Sequence, residues 1–391
     1  MKTQRIPLIL FCILSLLAFA PMVQEHLNWP RVRALAGVYE EIPFPKPTLA
    51  SCRSGAFQRD LEKYLQYHYG YRPNTLRIYN QYLWDFYKKT YVKYSIMEGK
   101  EGWLYEPWFV EDYYHGGTYS EHKDSLTLAR DLAGEAIRIR QLQDVLEQHG
   151  VTLFVCMAPG KDMIYPEFLP ENNAPDRPIR LIARDFCEER FSQLGVNHIN
   201  VEQWFLQMKD TVDFLLFPQK GTHWSNIAAV YAADSIFRYI EEKQGFRMDR
   251  LAIGEPYVGS YKKPDYDLEE LYNLYRPLKK LPQHYVDVEV QHVPGSVKPK
   301  LITVGDSFFW NICRQTPMDS LFAAHPYWYY NSTVYFDPNH TSTEALDLAS
   351  ELLSADAVML IYSSVQLYRM SDGFCLKALA ALGSNDENPS F

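Results

Sequence analysis

Cysteine is scarce in this sequence of 391 residues, with Cys12, Cys52, Cys156, Cys187, Cys313 and Cys375 its only six. None forms a C-x-x-C pair and none is spaced with histidine as zinc ligands are, so no structural metal is expected. With Cys12 set apart in an N-terminal apolar run, five remain. An odd number excludes a fully paired disulfide framework and leaves room for one or two bridges. Positive charge is in deficit, since 39 Lys+Arg against 48 Asp+Glu give a net charge of −9. Such a balance, with no basic stripe to offset it, repels a phosphate backbone and disfavours nucleic-acid binding. Repeats and low-complexity tracts are missing too, so nothing marks a repeat architecture.

What is present is the composition of a folded protein: 47% hydrophobic residues, 22% charged, and a 15% aromatic share carried by 29 tyrosines. Wholesale disorder is excluded. The length suggests two units, or one large α/β unit with appendages. At the N-terminus, Lys2 and Arg5 precede an uncharged apolar run from Ile6 to Val23. At 1.5 Å per residue this run spans about 27 Å, close to the thickness of a bilayer core. It also contains Ala18-Phe19-Ala20, a signal-peptidase pattern, but Pro21 would follow the scissile bond and hinder cleavage. An uncleaved signal anchor over residues 1–23 is therefore expected, with the basic residues holding the N-terminus in the cytoplasm. Everything after about residue 24 then lies outside the cytoplasm, as in a single-pass inner-membrane protein with a periplasmic domain.

Residues 24–50 hold four prolines and no sustained periodicity, and read as a linker. From Phe57 to about Tyr91, helical spacing of Leu61, Tyr64, Leu65 and His68, with Gly70 as a stop, predicts a helical preamble. Strands and helices then alternate. The spacing predicts helices over 126–149, 176–194 and 225–241, and another from Thr341 opened by a Thr341/Glu344 capping box. The apolar runs Val151–Met157, Val196–Val201, Lys300–Val304 and Ala357–Tyr362 read as strands, the first as one buried on both faces. The class implied is α/β, a three-layer α/β/α arrangement around a parallel sheet. Residues 246–299 interrupt the alternation as an insertion beside the site.

Two motifs carry chemistry. Val304-Gly305-Asp306-Ser307-Phe308 follows the third strand directly. In an open parallel sheet, active groups collect where strands end and helices begin, so Ser307 stands where a nucleophile would use backbone N–H groups as oxyanion donors. Capping of the next helix by Asp306 or Ser307 accounts for the same residues equally well. Gly221-Thr222-His223-Trp224-Ser225 precedes an amphipathic helix. A serine hydroxyl needs an adjacent base, and a neutral imidazole near pH 7 suits that need, so His223 is the candidate.

Together these motifs resemble the AlgJ/AlgX-like alginate O-acetyltransferase family of the SGNH-hydrolase fold. That family carries a Gly-Asp-Ser-Phe nucleophile motif and, earlier in the chain, an Asp-x-His-Trp motif. Further similar stretches are Gly99-Lys100-Glu101-Gly102-Trp103-Leu104, Ala158-Pro159-Gly160-Lys161 with Ile164-Tyr165-Pro166, and Phe168-Leu169-Pro170. As in the family, the histidine precedes the serine. The resemblance implies a domain over residues 96–380, following linker and preamble over 24–95 and leaving a polar tail over 381–391. It implies Ser307 and His223 as a catalytic pair, with Gly305, Asp306 and Phe308 around the nucleophile.

There is one departure: Gly221 stands where the family has the acid. Either another acid substitutes, with Asp213 the nearest upstream, or the pair works as a dyad, or the site has decayed. Lys161, in the loop after the first strand, faces the site by resemblance or is a solvated loop lysine. Asn331 is a candidate second oxyanion donor, and Trp224 a substrate contact. Trp103, Tyr105, Trp108, Phe109, Tyr113 and Tyr114 suit sugar stacking or, for most of them, core packing. The function implied is O-acetyl transfer to an extracytoplasmic polysaccharide through an acetyl-Ser307, with no cofactor. A membrane-bound O-acyltransferase partner would supply the acetyl group. An esterase using the same residues, and a non-catalytic glycan-binding scaffold, remain alternatives.

Overall fold

In the computed structural model, residues 5–37, 41–90, 92, 95–116, 124–177 and 179–383 are described. Lys2 and most of the expected polar tail, 384–391, lie outside them. The chain divides into two compact units, Met1–Lys93 with Glu269–Lys279, and Tyr94–Leu268 with Lys280–Phe391.

The first unit is helical. Its opening helix, Arg5–Leu27, is broken by no charge between Ile6 and Val23 and exposes nearly all of its apolar side chains. Twenty-two of its residues, Ile6–Leu27, are long and apolar enough to cross a membrane. Helices Ala56–Tyr67 and Arg72–Tyr87 form the expected preamble. Arg77 is buried and donates to the carbonyls of Arg33 and Ala34, at 2.7 Å each, which ties the proline-rich stretch to the second of these helices.

The second unit is built on six strands: β1 (Thr152–Ala158), β2 (His198–Asn200), β3 (Leu301–Gly305), β4 (Tyr327–Tyr329), β5 (Thr333–Tyr335) and β6 (Ala357–Ser363). Their order is β5-β4-β3-β6-β1-β2. All neighbours are parallel except β4 and β5, which pair antiparallel at one edge. In β1 and β6 every residue is buried. Phe154 and Cys156, with Met359 and Ile361, join the core beneath helix Asn226–Gln244, while Leu153, Val155, Val358 and Leu360 join the core beneath Ser125–Glu147 and Ala183–Leu194. Helices thus cover both faces, and the sheet is the middle of three layers.

The differences from the sequence reading are local. The helix expected from residue 176 begins at Ala183, because Pro178 supplies no amide donor and disfavours helical conformation before it. No helix opens at Thr341. Thr343–Ala345 is a short 3-10 turn behind Ser342, and the helix proper, Leu348–Leu353, is capped by Asp347, which accepts from the Ser350 N–H at 3.2 Å. Within the interrupting segment, Arg250–Ile253 pairs antiparallel with Val288–Gln291, and Tyr257–Gly259 with Gln283–Tyr285. All six cysteines are free thiols, three of them buried.

Candidate active site

The carboxyl ends of β1, β3 and β6 meet at one sheet edge, and the chemistry-bearing residues collect there. β3 ends at Gly305 because nothing larger fits: a Cβ at that position would run into the backbone carbonyl of Ile361 on β6. The Asp306 N–H donates to that same carbonyl at 3.0 Å. The Asp306 side chain is buried and accepts from the Ser363 N–H and Oγ–H, at 2.7 Å each, and from the Phe308 N–H at 3.0 Å. Burial raises its carboxyl above the usual range although these bonds favour the carboxylate. Asp306 therefore locks the turn that presents Ser307.

His223 reaches Ser307 from the loop before helix Asn226–Gln244. Its Nε2 is 2.8 Å from Ser307 Oγ and its Nδ1 is 2.8 Å from Asp267 Oδ2. The other Asp267 oxygen accepts the Thr222 N–H at 2.8 Å, so one carboxylate fixes both the ring and the backbone beside it. Burial acts against the imidazolium, but the hydrogen bond and charge of Asp267 outweigh it, and the His223 pKa is raised. The neighbouring Asp265 anchors the turn carrying Asp267. Its Oδ2 accepts from Asn226 at 3.1 Å and from the Tyr285 hydroxyl at 2.5 Å.

Asp213 is exposed, and the place proposed for it beside the imidazole is filled by Asp267. The reason lies at Gly221. A Cβ there would sit 2.5 Å from the Pro264 carbonyl oxygen and 3.1 Å from the Asp265 carbonyl carbon. The segment that brings Asp267 in occupies the space an acid at position 221 would need.

Lys161 is neither solvated nor a wall of the cavity. Fully buried, it donates to the carbonyls of Leu104 (2.7 Å), Gln219 (3.1 Å) and Gly221 (2.8 Å), beneath the faces of Trp103 and Tyr105. Burial pushes its pKa well down, but three carbonyls use all three ammonium protons. It braces the His223 loop from below. Lys161→Met should lower stability by roughly 2–4 kcal/mol, because three carbonyls each lose a buried donor, and among the described residues only that of Gln219 keeps a second one, the Leu104 N–H. Urea unfolding with an unchanged m-value would check this.

Trp224 is likewise internal, its indole N–H donating to the Phe308 carbonyl at 3.2 Å. Asn331 donates one amide N–H to the Asp372 carbonyl at 3.1 Å and is not among the residues lining the cavity at Ser307, which removes it as an oxyanion donor. Phe308 is buried and packs its ring 5.1 Å from that of His223. Of the six aromatics near residues 103–114, Trp108 and Phe109 line the cavity at Ser307, Trp103 and Tyr105 are core, and Tyr113 is exposed.

That cavity has a volume of about 120 Å³ and is lined also by Glu106, Thr222, Tyr330, Ser363, Val365 and Gln366. Glu106 accepts from the Thr222 hydroxyl at 2.5 Å, and burial pushes its pKa up to about 7. Glu106, Asp267 and Gln366 escaped the sequence reading. Asp267 lies in the acid-rich stretch after Lys262-Lys263-Pro264, 44 residues beyond His223, and no spacing rule joins the two. No group of His, Cys, Asp and Glu that could hold a metal occurs among the described residues.

A three-layer α/β domain with a serine at a strand end, hydrogen-bonded to histidine and through it to aspartate, has the architecture of SGNH hydrolase-like proteins. The family model described as "SGNH hydrolase-like domain, acetyltransferase AlgX" matches residues 96–307, more than half of the chain, and the chain belongs to that family. Similar solved structures include the O-acetyltransferase domain of Pseudomonas putida AlgJ (16% identity, 70% of this chain and 92% of that one, TM-score 0.44). Pseudomonas aeruginosa AlgX is 13% identical over 76% of this chain and 71% of its own, with a TM-score of 0.45. Bacillus cereus PatB1 is 13% identical over 70% and 96%, with a TM-score of 0.41. No protein of curated function matches by sequence.

Proposed function

We propose that the protein transfers acetyl groups to hydroxyls of an extracytoplasmic polysaccharide through an acetyl-Ser307 intermediate. The observation that carries this reading is the continuous hydrogen-bond chain from Ser307 through His223 to Asp267. His223 Nε2 takes the Oγ proton as Oγ attacks the acetyl carbonyl carbon, whose π pair moves onto oxygen. The tetrahedral species collapses, and the donor's leaving group departs with the proton from His223. A sugar hydroxyl then gives its proton to His223, attacks the acetyl ester, and releases Ser307 as its oxygen recovers the proton. Asp267 holds the ring in the tautomer that accepts at Nε2 and stabilises the imidazolium. A cavity of about 120 Å³ suits a short acyl group.

The reading of the donor side rests on the family likeness. A membrane-bound O-acyltransferase partner would deliver acetyl outside the cytoplasm, and helix Arg5–Leu27 would anchor the chain in the inner membrane beside it. With Asp267 on His223, the acid absent at Gly221 no longer favours a decayed scaffold. An esterase differs only in using water as acceptor.

Incubation of the full-length protein in detergent with an activated acetyl ester tests the reading. Mass spectrometry should find one acetyl group on the peptide containing Ser307. Adding a glycan acceptor should shift product from free acetate to the acetylated sugar. Modification elsewhere, or none, would overturn the proposal, and acetate alone as product would convert it to an esterase.

A further inference from the structure

Formation of the tetrahedral species places a negative charge on the former carbonyl oxygen, and a site for it needs a donor already in place. Several groups around Ser307 are committed elsewhere. The Phe308 N–H is spent on Asp306 Oδ1, the Thr222 hydroxyl on Glu106 and the Ser363 hydroxyl on Asp306 Oδ2, while Asn331, which gives one N–H to the Asp372 carbonyl, does not line the cavity. Gln366 is different. It lines the same cavity as Ser307 and His223, yet its amide makes no hydrogen bond among the described residues. Its Oε1 is shut off from solvent without a donor, so the NH₂ end is the one that reaches open space.

Gln366 is half-buried, with its amide oxygen unmatched at a cost of about 1–3 kcal/mol, and a primary amide offers two N–H donors at its other end. The position is a fixed one. Gln366 lies in the 3-10 stretch Ser364–Gly373 that leaves β6, three residues beyond Ser363, whose N–H and hydroxyl both hold Asp306. Val365 and Leu367, on either side, are buried in the core. The donor thus stands just past the strand hydrogen-bonded to the one that presents the nucleophile.

We infer that Gln366 is a catalytic residue whose side-chain N–H donates to the acyl oxyanion formed on attack by Ser307. The inference rests on the acetyl-Ser307 reading. It assigns to the end of β6 the oxyanion donor that the sequence placed at Asn331.

The test is the single-turnover rate of Ser307 acylation by an activated acetyl ester, with the full-length protein and its Gln366 variants. Gln366→Ala should slow acylation by about 10²- to 10³-fold at saturating ester, with little change in apparent KM, because the bond forms only as charge develops. Gln366→Glu separates this role from packing. It keeps the shape of glutamine but is acceptor-only when ionised, so it should be at least as slow as Gln366→Ala. A packing role predicts that Glu retains more activity than Ala. Should Gln366→Ala melt early, Gln366→Met, similar in length but without a donor, carries the comparison. Acylation of all these variants within about threefold of wild type, or a Gln366→Glu variant faster than Gln366→Ala, overturns the inference and leaves acetyl-Ser307 standing. Absence of acylation in the wild type overturns both.

Discussion

The Asp267→Asn substitution should slow acyl transfer by about 10⁴-fold, whereas Asp213→Asn should leave the rate within about twofold. The amide introduced by Asp267→Asn can accept from His223 Nδ1–H or donate to Nδ1, and in the second case the ring must carry its proton on Nε2, where the Ser307 proton has to go. The pH profile supplies an independent sign. Transfer needs a neutral imidazole, so the rate in the wild type should fall as pH drops through the His223 pKa, which Asp267 holds above the ordinary value of about 6.5. Without the carboxylate the raising interaction is gone while burial remains, so the residual activity of Asp267→Asn should show its acid limb at lower pH. Stopped-flow acylation rates between roughly pH 5 and 9 would check both statements. An unshifted limb would mean that Asp267 does not act on the imidazole.

Restoring the family's acid should harm the protein. In Gly221→Asp the new Cβ meets the backbone of Pro264 and Asp265, and backbone cannot swing aside as a side chain can. To relieve the overlap the 262–268 turn must retreat, taking Asp267 from His223 and Asp265 from Asn226. Activity should fall as far as in Asp267→Asn, and stability by roughly 2–4 kcal/mol, since overpacking and broken buried bonds act together. The double variant Gly221→Asp with Asp267→Asn should stay inactive, measured by the same acylation assay and by thermal unfolding. Recovery of activity in the double variant would show that the turn yields and that position 221 can hold the acid after all.

The layered sheet was legible because β1 and β6 are buried on both faces, and a strand so placed must be a continuous apolar run. Ser307 was legible because it sits at a strand-to-helix joint within a short motif, and His223 because its motif stands just before an amphipathic helix, although the element preceding its loop is the helix Val201–Lys209 and not a strand. Asp267 was not, because its place depends on how residues 246–299 fold back, through Asp265, Tyr285 and Asn226, and those contacts join positions far apart in the chain. Lys161 illustrates the opposite failure. A lysine in a loop reads as solvated, and only the convergence of the Leu104, Gln219 and Gly221 carbonyls makes its burial favourable. Strands β4 and β5, three residues each, are too short for periodicity to announce.

The shortness of the outermost strands bears on how the molecule behaves among copies of itself. β2 and β5 close the two ends of the sheet with three residues apiece. The outer side of β5 is already engaged, the Val334 N–H donating to the Thr341 carbonyl and the Thr343 N–H to the Ser332 carbonyl. A growing cross-β ladder needs a row of vacant amides and carbonyls long enough to hold a visiting strand in register. Such short, partly occupied borders offer a poor template for that growth, which protects a tyrosine-rich chain from self-assembly without any cost to the interior.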